Sequence, residues 1–381
     1  MLGCCVKALS GNNARGVQSA LNLISGISLS IVPPAVLSIS SNTFDIPAQG
    51  AVAVAVMTAT FLSQLLFAWV VESRLASHLT ARFVAVPRWL TIAGLVAASA
   101  LAIFPTSPVV AIAALPFLFA TLETGRGVSV AEKYASREAW AALALGIGAG
   151  SGVIIALLGQ TWGLSLLAIG VAGAIVVRFV GAPSSSDPPQ PGIRGWVVSD
   201  VALTGISYPV LNAVILALLG PASATVFASV STVSGLLAVP LNFLRVRLLK
   251  EHSMLDTLVT AGALACATAA IVVGEVTGLF GFAFGETWTI SATALPLAAA
   301  CLWRIASLFS ALPFSALRRA GRARLVTILR GLSATFTFAI AIPATFTHQI
   351  WLVFAALFVG EVVLAIVCEI ARRRVVIPEG A

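Results

Sequence analysis

The chain has 381 residues, of which 59% are apolar and only 9% are charged, and its mean hydropathy is +1.04. This composition is typical of a protein embedded in a lipid bilayer, and it excludes a soluble enzyme, a nucleic-acid reader and a protein with a large extramembrane lobe. The net charge of +8 therefore bears on membrane orientation, because basic residues mark the cytoplasmic side. The cysteines are odd in number and predict no disulfide framework; they are Cys4, Cys5, Cys266, Cys301 and Cys368.

Apolar runs, and the residues that interrupt them, predict twelve membrane-spanning helices of about 20 residues each. In chain order the predicted spans cover approximately residues 17–39, 46–71, 84–104, 108–122, 139–158, 163–180, 196–219, 222–244, 255–276, 288–317, 325–344 and 351–371. The run 108–122 is the shortest. Gly, Pro, Ser and Thr recur inside the spans, which lets helices approach closely and bend. The predicted fold class is therefore an all-α integral membrane bundle.

Basic residues are confined to one end of these spans. The odd-numbered connections contain no Lys or Arg, whereas the even-numbered connections, the span ends beside them and both termini hold every Lys and Arg except Arg304. Cytoplasmic loops carry an excess of Lys and Arg. We therefore predict a multi-pass protein of the inner (cytoplasmic) membrane with both termini in the cytoplasm.

The longest polar stretch, GAPSSSDPPQPGIRG at residues 181–195, follows the sixth predicted span. It predicts a cytoplasmic linker between an N-terminal six-helix lobe at residues 1–180 and a C-terminal six-helix lobe at residues 196–381. Because both lobes start inside and hold an even number of spans, we expect parallel repeats related by an axis along the membrane normal. The similar segments Glu72–His78 and Val246–His252 occupy matching places in the two halves.

Two charged residues are predicted at the depth of the membrane centre. Arg304 lies about 16 residues after Trp288 and about 14 before Arg318, and Glu361 lies about midway along the last span, at 1.5 Å of rise per residue. A central charge is costly and should face the bundle interior or a wet cavity. One interpretation is a structural ion pair between spans ten and twelve. The other is a cavity in which Arg304 contacts an anionic substrate and Glu361 positions it or titrates.

Neutral polar residues inside other spans complete the candidate site. For each of them a helix–helix hydrogen bond is an alternative to substrate contact. The predicted substrate-binding set is Arg304, Glu361, Gln64, Asn212, Tyr208 and Asn22. Near the cytoplasmic start of span seven, Asp200 has the same two interpretations and equally a third, a helix N-terminal acid favoured by the helix dipole.

A basic cluster follows span ten and has two interpretations. It anchors the topology, or it collects anionic lipid headgroups at the cytoplasmic surface; its members are Arg318, Arg319, Arg322 and Arg324. His78, His252 and His348 all fall outside the span interiors, so the sequence predicts no acyl-transfer or metal constellation. We expect neither an enzyme nor a cofactor or metal, and the sequence leaves H⁺ or Na⁺ coupling open.

The run Leu317–Leu325, with sequence LRRAGRARL, lies between spans ten and eleven, and the last span holds Gly360–Glu361 before the basic run Arg372–Arg374. Together with six plus six parallel spans and a short central linker, these patterns resemble the multidrug/oligosaccharidyl-lipid/polysaccharide (MOP) exporter superfamily, and its Wzx-like polysaccharide-biosynthesis flippase branch in particular. The resemblance covers nearly the whole chain. It implies a V-shaped, MATE-like pair of six-helix lobes. It also implies that a polyprenyl-diphosphate-linked oligosaccharide or related anionic glycolipid crosses the membrane by alternating access.

Three alternatives to this function differ in their residue patterns. The drug-extruding branch of the superfamily resembles a cation antiporter with an acidic residue in span one, and here residues 17–39 contain none. The major facilitator superfamily, whose members move small solutes, has a G-x-x-x-D-R-x-G-R-R loop between spans two and three, and residues 72–88 lack its Gly and Asp. A non-transporting membrane subunit of a glycan-synthesis complex is the third. The expected partners are the lipid bilayer, a lipid-linked glycan and glycan-synthesis proteins, with no nucleic acid, and we expect a monomer.

Overall fold

The computed structural model describes residues 25–73, 87–131, 134–179, 193–241, 254–320 and 322–376. Within these ranges every regular element is a helix and no strand occurs. Helices satisfy all their backbone hydrogen bonds within one segment, which a lipid environment requires.

The first half of the chain contains six described helices. They are α1 (25–43), α2 (Ile46–Phe67, continued by a π-helical turn at Ala68–Glu72), α3 (Arg88–Ile103), α4 (Pro108–Ala131), α5 (Ala135–Leu157) and α6 (Gly163–Phe179). The start of α2 illustrates how a helix boundary is set. There the Asp45 carboxylate accepts a hydrogen bond from the Ala48 backbone N–H at 3.3 Å. An N-cap acid of this kind satisfies one of the free amides of a first turn.

The second half contains eight helices with full bounds, of which one is very short, and a further helical stretch at 238–241. They are α7 (Ile193–Gly205), α8 (Ser207–Leu219), α9 (Pro221–Gly235), α10 (Met254–Val276), α11 (Leu279–Phe284), α12 (Ile290–Arg319), α13 (Ala323–Thr345) and α14 (Ile350–Val376). A turn at Ile206 separates α7 from α8, and Pro209 in the first turn of α8 is compatible with this break. Gly220, with φ of +88°, makes the sharp corner between α8 and α9.

Eight of the described helical segments are long and apolar enough to cross a membrane, one of them formed by α7 and α8 together, and α3 and α6 are shorter apolar helices. Described helices overlap all twelve predicted spans. The multi-pass, all-helical fold is therefore confirmed. The twelve-span layout in two repeats stays a prediction.

Two boundaries differ from the sequence-based prediction. The short predicted span at 108–122 is a helix of 24 residues that continues to Ala131. The predicted outward connection after α10 contains the short helix α11, which the sequence analysis missed. The predicted linker at 181–195 lies outside the described residues except for its last three positions, which belong to α7.

Helices of each half pack mainly on one another, and α2 joins the two halves. In the first half α2 packs on α4, α3 on α4 and α6, and α5 on α6, while in the second half α14 packs on α12 and α13, and α9 on α12. Across the halves, α2 packs on α7, α8 and α9. A β-carbon built on Gly50 of α2 would lie 2.6 Å from the β-carbon of Pro221 in α9. The two halves therefore touch without intervening side chains at this point.

The connections 104–107, 158–162 and 346–349 contain no Lys or Arg. We call the end of the bundle that they share the Arg-poor end. The opposite end carries Arg88, Arg126, Arg178 and Arg372 to Arg374, and we call it the Arg-rich end.

Candidate functional site

Arg304 lies midway along α12 and is held by two aromatic side chains. Its Nη1 donates a hydrogen bond to the Tyr208 hydroxyl of α8 at 3.0 Å. The guanidinium carbon lies 4.1 Å from the centroid of the Trp303 ring and 5.3 Å from that of Tyr208. The two rings also contact each other, with centroids 5.2 Å apart. Cation–π contacts of this geometry hold a guanidinium in place without neutralising it.

No carboxylate forms an ion pair with Arg304 in the described part of the chain. Its Nε is buried and has no hydrogen-bond partner there. Glu361 of α14 instead accepts a hydrogen bond from the Ser310 hydroxyl of α12. The structural ion pair between Arg304 and Glu361, one of the two alternatives drawn from the sequence, is therefore not formed.

Further buried polar groups lie one helical turn from Arg304 toward the Arg-poor end. Asn212 follows Tyr208 by one turn of α8, and Ser231 precedes Gly235 by one turn of α9, where Gly235 lies beside the Arg304 guanidinium. Asn212 is fully buried, and neither its amide nitrogen nor its oxygen has a hydrogen-bond partner among the described residues; the same holds for the Ser231 hydroxyl. Unsatisfied buried polar groups call for a water, an ion or a ligand.

Asn212 was predicted as a site residue, whereas Ser231 was missed. The signal that could have found Ser231 is the composition of α9, PASATVFASVSTVSG, in which six of the fifteen residues are Ser or Thr. Several of these hydroxyls only donate a hydrogen bond to a backbone carbonyl of the same helix. The Thr225 hydroxyl, for example, donates to the Pro221 carbonyl at 3.0 Å. The sequence alone does not distinguish the hydroxyls that bond their own helix from a hydroxyl, such as that of Ser231, that faces a candidate site.

A small cavity of about 90 Å³ lies on the other side of Tyr208 and Trp303, between α7, α8, α12, α13 and α14. Glu361 and Ser310 line it, and so does Arg330 of α13. Tyr208 and Trp303, which contact the Arg304 guanidinium, also line this cavity. The two aromatic side chains therefore lie between Arg304 and the cavity that holds Glu361. A carboxylate and a guanidinium therefore line the same cavity in the second half.

Arg330 is fixed by contacts from α7. Its Nη1 donates to Asp200 Oδ2 at 2.9 Å and to Thr204 Oγ1 at 2.9 Å, and its guanidinium lies 3.9 Å from the centroid of the Phe314 ring. The interpretation of Asp200 as a helix N-terminal acid is wrong, because α7 begins at Ile193 and its first turn contains no acid. Asp200 is a buried ion-pair partner of Arg330 instead.

A second buried ion pair lies in the first half, near the Arg-rich end. Glu138 of α5 and Arg178 of α6 are joined by two hydrogen bonds, one of them from Arg178 Nε to Glu138 Oε2 at 3.1 Å. The Ser25 hydroxyl also donates to Glu138, and Arg126 Nε donates to Ser25 at 3.3 Å. Arg178 Nη1 donates to a carbonyl of α4 at 3.1 Å. This network ties α1, α4, α5 and α6 together and leaves no open space for a ligand beside Glu138, which is fully buried.

A third buried carboxylate lies at the Arg-poor end. Glu275, at the end of the predicted span 255–276, is only 7% exposed and belongs to the last turn of α10. It accepts hydrogen bonds from Trp288 Nε1 at 2.8 Å and from the Thr293 hydroxyl at 2.7 Å. These contacts fix the start of α12, the helix that carries Arg304, against α10.

The remaining predicted site residues are more scattered. Gln64 of α2 is exposed, and its side-chain oxygen would lie 3.4 Å from a β-carbon built on Gly205, within one turn of Tyr208. Asn22 lies outside the described residues. Of the basic cluster, Arg318 and Arg319 belong to the last turn of α12, where their side chains are outside the described set, while Arg322 and Arg324 are exposed. The structure therefore brings Tyr208 to Arg304, places Glu361 in the adjoining cavity, and leaves Gln64 at the contact between α2 and α7.

In the part of the chain that the structure describes, no three His, Cys, Asp or Glu side chains come together as metal ligands. The Arg304 guanidinium, with the unsatisfied Asn212 and Ser231 side chains one turn away, is suited to an anionic group with several oxygen acceptors. A guanidinium presents its donors in a planar fork that matches carboxylate and phosphate oxygens.

No family model and no curated protein sequence matches the chain. Solved structures do match its fold. One is a multidrug resistance MATE family transporter of the MOP superfamily in an inward-facing conformation, with 15% identity, coverage of 94% of each chain and a TM-score of 0.50. Another is MATE in a bent conformation, with 15% identity, coverage of 94% of this chain and 95% of that chain, and a TM-score of 0.51. At this identity the likeness shows the fold alone, and that fold is the one found in MATE transporters of the MOP superfamily.

Proposed function

We propose that the protein is an exporter that moves a polyprenyl-diphosphate-linked oligosaccharide, or a related anionic glycolipid, across the cytoplasmic membrane by alternating access. In this proposal the two halves, residues 1–180 and 196–381, act as two lobes that rock about a central pathway. Both termini lie in the cytoplasm, and the Arg-rich end of the bundle faces the cytoplasm. The functional unit is a monomer that works beside glycan-synthesis proteins.

Arg304 is the observation that carries the proposal. It is a guanidinium at mid-depth that contacts Tyr208 and Trp303 and has no carboxylate partner in the described ranges. Placing such a charge in a membrane costs at least about 2.5 kcal/mol. A diphosphate could offset that cost with charge-assisted hydrogen bonds to Nε and the terminal nitrogens. The glycan would occupy the polar region near Asn212 and Ser231, while the lipid tail stays in the bilayer.

Glu361 is the candidate coupling group in this proposal. It lines the cavity next to Tyr208 and is bonded to Ser310 rather than to a basic residue. Binding of a proton or a cation to the Glu361 carboxylate would change the charge in the cavity that Tyr208 and Trp303 line. The coupling ion in this proposal is H⁺ or Na⁺.

The fold likeness supports a transporter over the alternatives, but it does not choose the substrate. The solved inward-facing structure is described as a multidrug resistance transporter. A site for cationic drugs needs a carboxylate at the substrate, whereas here the mid-depth group that bonds Tyr208 is a guanidinium and the nearby carboxylate, Glu361, accepts a hydrogen bond from Ser310. The likeness to a MATE fold also favours the MOP resemblance over the major facilitator alternative. A non-transporting glycan-synthesis subunit would have no need of a central guanidinium that lacks a carboxylate partner among the described residues.

The test is translocation of a fluorescent polyprenyl-diphosphate sugar in proteoliposomes that contain the wild type, Arg304→Ala or Arg304→Glu. Loss of a charged hydrogen-bond donor to phosphate costs about 1.5–3 kcal/mol, so we expect Arg304→Ala to lower the initial rate about 10- to 100-fold and Arg304→Glu to abolish it. The matched control is Arg88→Ala, because Arg88 is an exposed arginine at the start of α3.

Each variant is first shown to elute as a single species in detergent and to unfold at the wild-type temperature. Undiminished translocation by a well-folded Arg304→Ala variant would contradict the role of Arg304. A wild type that is inert under both proton and sodium gradients would contradict the proposed substrate.

A further inference from the structure

A wide groove runs between α12 and α14 near the Arg-rich end, separate from the cavity beside Tyr208. It has a volume of about 660 Å³, and seven of its ten lining side chains are apolar. Phe309 forms part of the α12 wall, and Ile366 and Ile370 form part of the α14 wall; these side chains are 64%, 55% and 48% exposed. In a membrane, exposed apolar walls at this depth are in contact with acyl chains.

The shape of the groove follows from the sequence of its two walls. The Ser310–Glu361 contact and the packing of Leu317 against Cys368 have the same offset along the chain, so α12 and α14 run parallel. Pro313, inside α12, has no backbone N–H and so removes one hydrogen bond of that helix. Ala316 and Ala365 also line the groove, and their small side chains leave it open.

One end of the groove is polar and carries net positive charge. Arg372 donates two hydrogen bonds of 2.7 Å to Glu369, and Arg373 Nε donates one of 2.9 Å to the same carboxylate. The side chains of Arg372 and Arg373 remain 42% and 69% exposed. A guanidinium has five N–H donors, so Glu369 orients the two groups while leaving donors available to a ligand.

We propose that this groove binds one anionic phospholipid, with an acyl chain along the apolar walls and the headgroup phosphate on Arg372 and Arg373. Two arginines against one glutamate leave one positive charge, which complements a headgroup with net negative charge and not a zwitterionic one. A planar guanidinium also matches the oxygens of a phosphodiester. This site stands apart from Arg304, so the proposal does not rest on the proposed transport function.

The test is native mass spectrometry of the purified protein titrated with phosphatidylglycerol or phosphatidylcholine of the same acyl chains. We expect the wild type to retain one phosphatidylglycerol in preference to phosphatidylcholine. Two basic residues near a membrane surface together contribute about 30-fold in affinity, so the double variant Arg372→Ala/Arg373→Ala should bind phosphatidylglycerol about 30-fold more weakly. Arg88→Ala, at the exposed start of α3, is the matched control and should leave binding unchanged.

A second variant separates the groove from the charges. Ala365→Trp fills the groove without altering any charge, and we expect it to remove the bound lipid while Arg372, Arg373 and Glu369 stay in place. Equal retention of both lipids by the wild type, or unchanged phosphatidylglycerol binding in both the arginine and the tryptophan variants, would overturn the proposal. Displacement of the lipid by a polyprenyl diphosphate at equal concentration would likewise overturn it, since the occupant would then be the glycolipid substrate.

Discussion

At the scale of single residues, the contact between Arg304 and Tyr208 decides how the central charge is presented. The hydroxyl accepts a hydrogen bond from Nη1 at 3.0 Å, while the ring adds a cation–π contact. The two contributions can be separated, because Tyr208→Phe keeps the ring and removes the acceptor.

We expect Tyr208→Phe to lower the rate of glycolipid translocation about tenfold or more, since a hydrogen bond to a charged group is worth about 1.5–3 kcal/mol. Initial rates in proteoliposomes measure this. The matched control is Tyr134→Phe, at the other of the chain's two tyrosines, whose ring lies 4.5 Å from the Arg137 guanidinium. An equal loss of rate in both variants would show that the Tyr208 hydroxyl has no specific role.

The buried Glu138–Arg178 ion pair stabilises the folded protein. Removing one partner of a buried ion pair leaves the other charge uncompensated, which costs about 3–5 kcal/mol. Glu138→Ala should therefore lower the free energy of unfolding by about that amount, as followed by denaturant titration in detergent. Glu123→Ala is the control, because Glu123 forms a partly exposed pair with Arg126 at 3.9 Å, and such pairs contribute about 0–1 kcal/mol. Similar losses in the two variants would contradict the structural role of the buried pair.

At the scale of helices, close contacts through glycine hold α5 against α6. A β-carbon built on Gly148 would lie 2.7 Å from the Gly170 Cα, and backbone atoms cannot move aside as a side chain can. Membrane helices use such small residues to approach closely.

Gly148→Ala should therefore destabilise the protein by about 1–3 kcal/mol, the usual cost of overpacking. Gly146→Ala is the control in the same helix, because a β-carbon there meets nothing within 4 Å. It should be neutral or stabilise by up to about 1 kcal/mol, since alanine is the better helix former. Thermal unfolding in detergent compares the two, and a Gly148→Ala protein as stable as Gly146→Ala would mean that α5 and α6 are further apart.

The helices were largely predictable from the sequence, because apolar runs and their polar breaks follow directly from the bilayer's thickness. The exceptions have local causes. The prediction ended α4 at residue 122 because Gly125, Arg126 and Gly127 interrupt the apolar run, whereas in the structure these glycines pack closely on Arg178 and Phe67 and the helix continues. Helix α11 is only six residues long, too short to stand out from its connection.

The site was predictable only in part. Arg304 and Glu361 stand out because a charge at mid-span is rare. Their partners depend on how the helices are rotated and packed, which hydropathy does not report. The sequence therefore left open whether the two pair with each other, and in the structure Arg304 bonds Tyr208 while Glu361 bonds Ser310. The pairing of Asp200 with Arg330 joins residues 130 positions apart and was likewise out of reach.

At the scale of the whole molecule, alternating access requires the contacts between the halves at the Arg-poor end to open. Gly50 and Pro221 touch there, and Ser38 and Asn42 donate hydrogen bonds to the Ala283 carbonyl at 2.6 and 3.2 Å. A covalent link at this point should stop transport if the halves move as lobes.

We expect a Gly50→Cys/Pro221→Cys pair, in a chain whose five native cysteines are replaced by serine, to lose translocation on oxidation and to regain it on reduction. The β-carbons at these positions are near enough for a disulfide after a small adjustment. The control pair Ala102→Cys/Ser165→Cys lies within the first half, where the Ser165 hydroxyl donates to the Ala102 carbonyl at 2.8 Å. Transport that survives the first cross-link would contradict movement at this contact.

The most direct measurement of the central claim is a substrate comparison with the wild type alone. Proteoliposomes are supplied in parallel with a labelled polyprenyl-diphosphate sugar, a cationic drug and a free soluble sugar, under a proton gradient and under a sodium gradient. We expect translocation of the diphosphate-linked sugar under at least one gradient and of neither other compound. Export of the cationic drug or the free sugar, with no movement of the diphosphate-linked sugar, would contradict it.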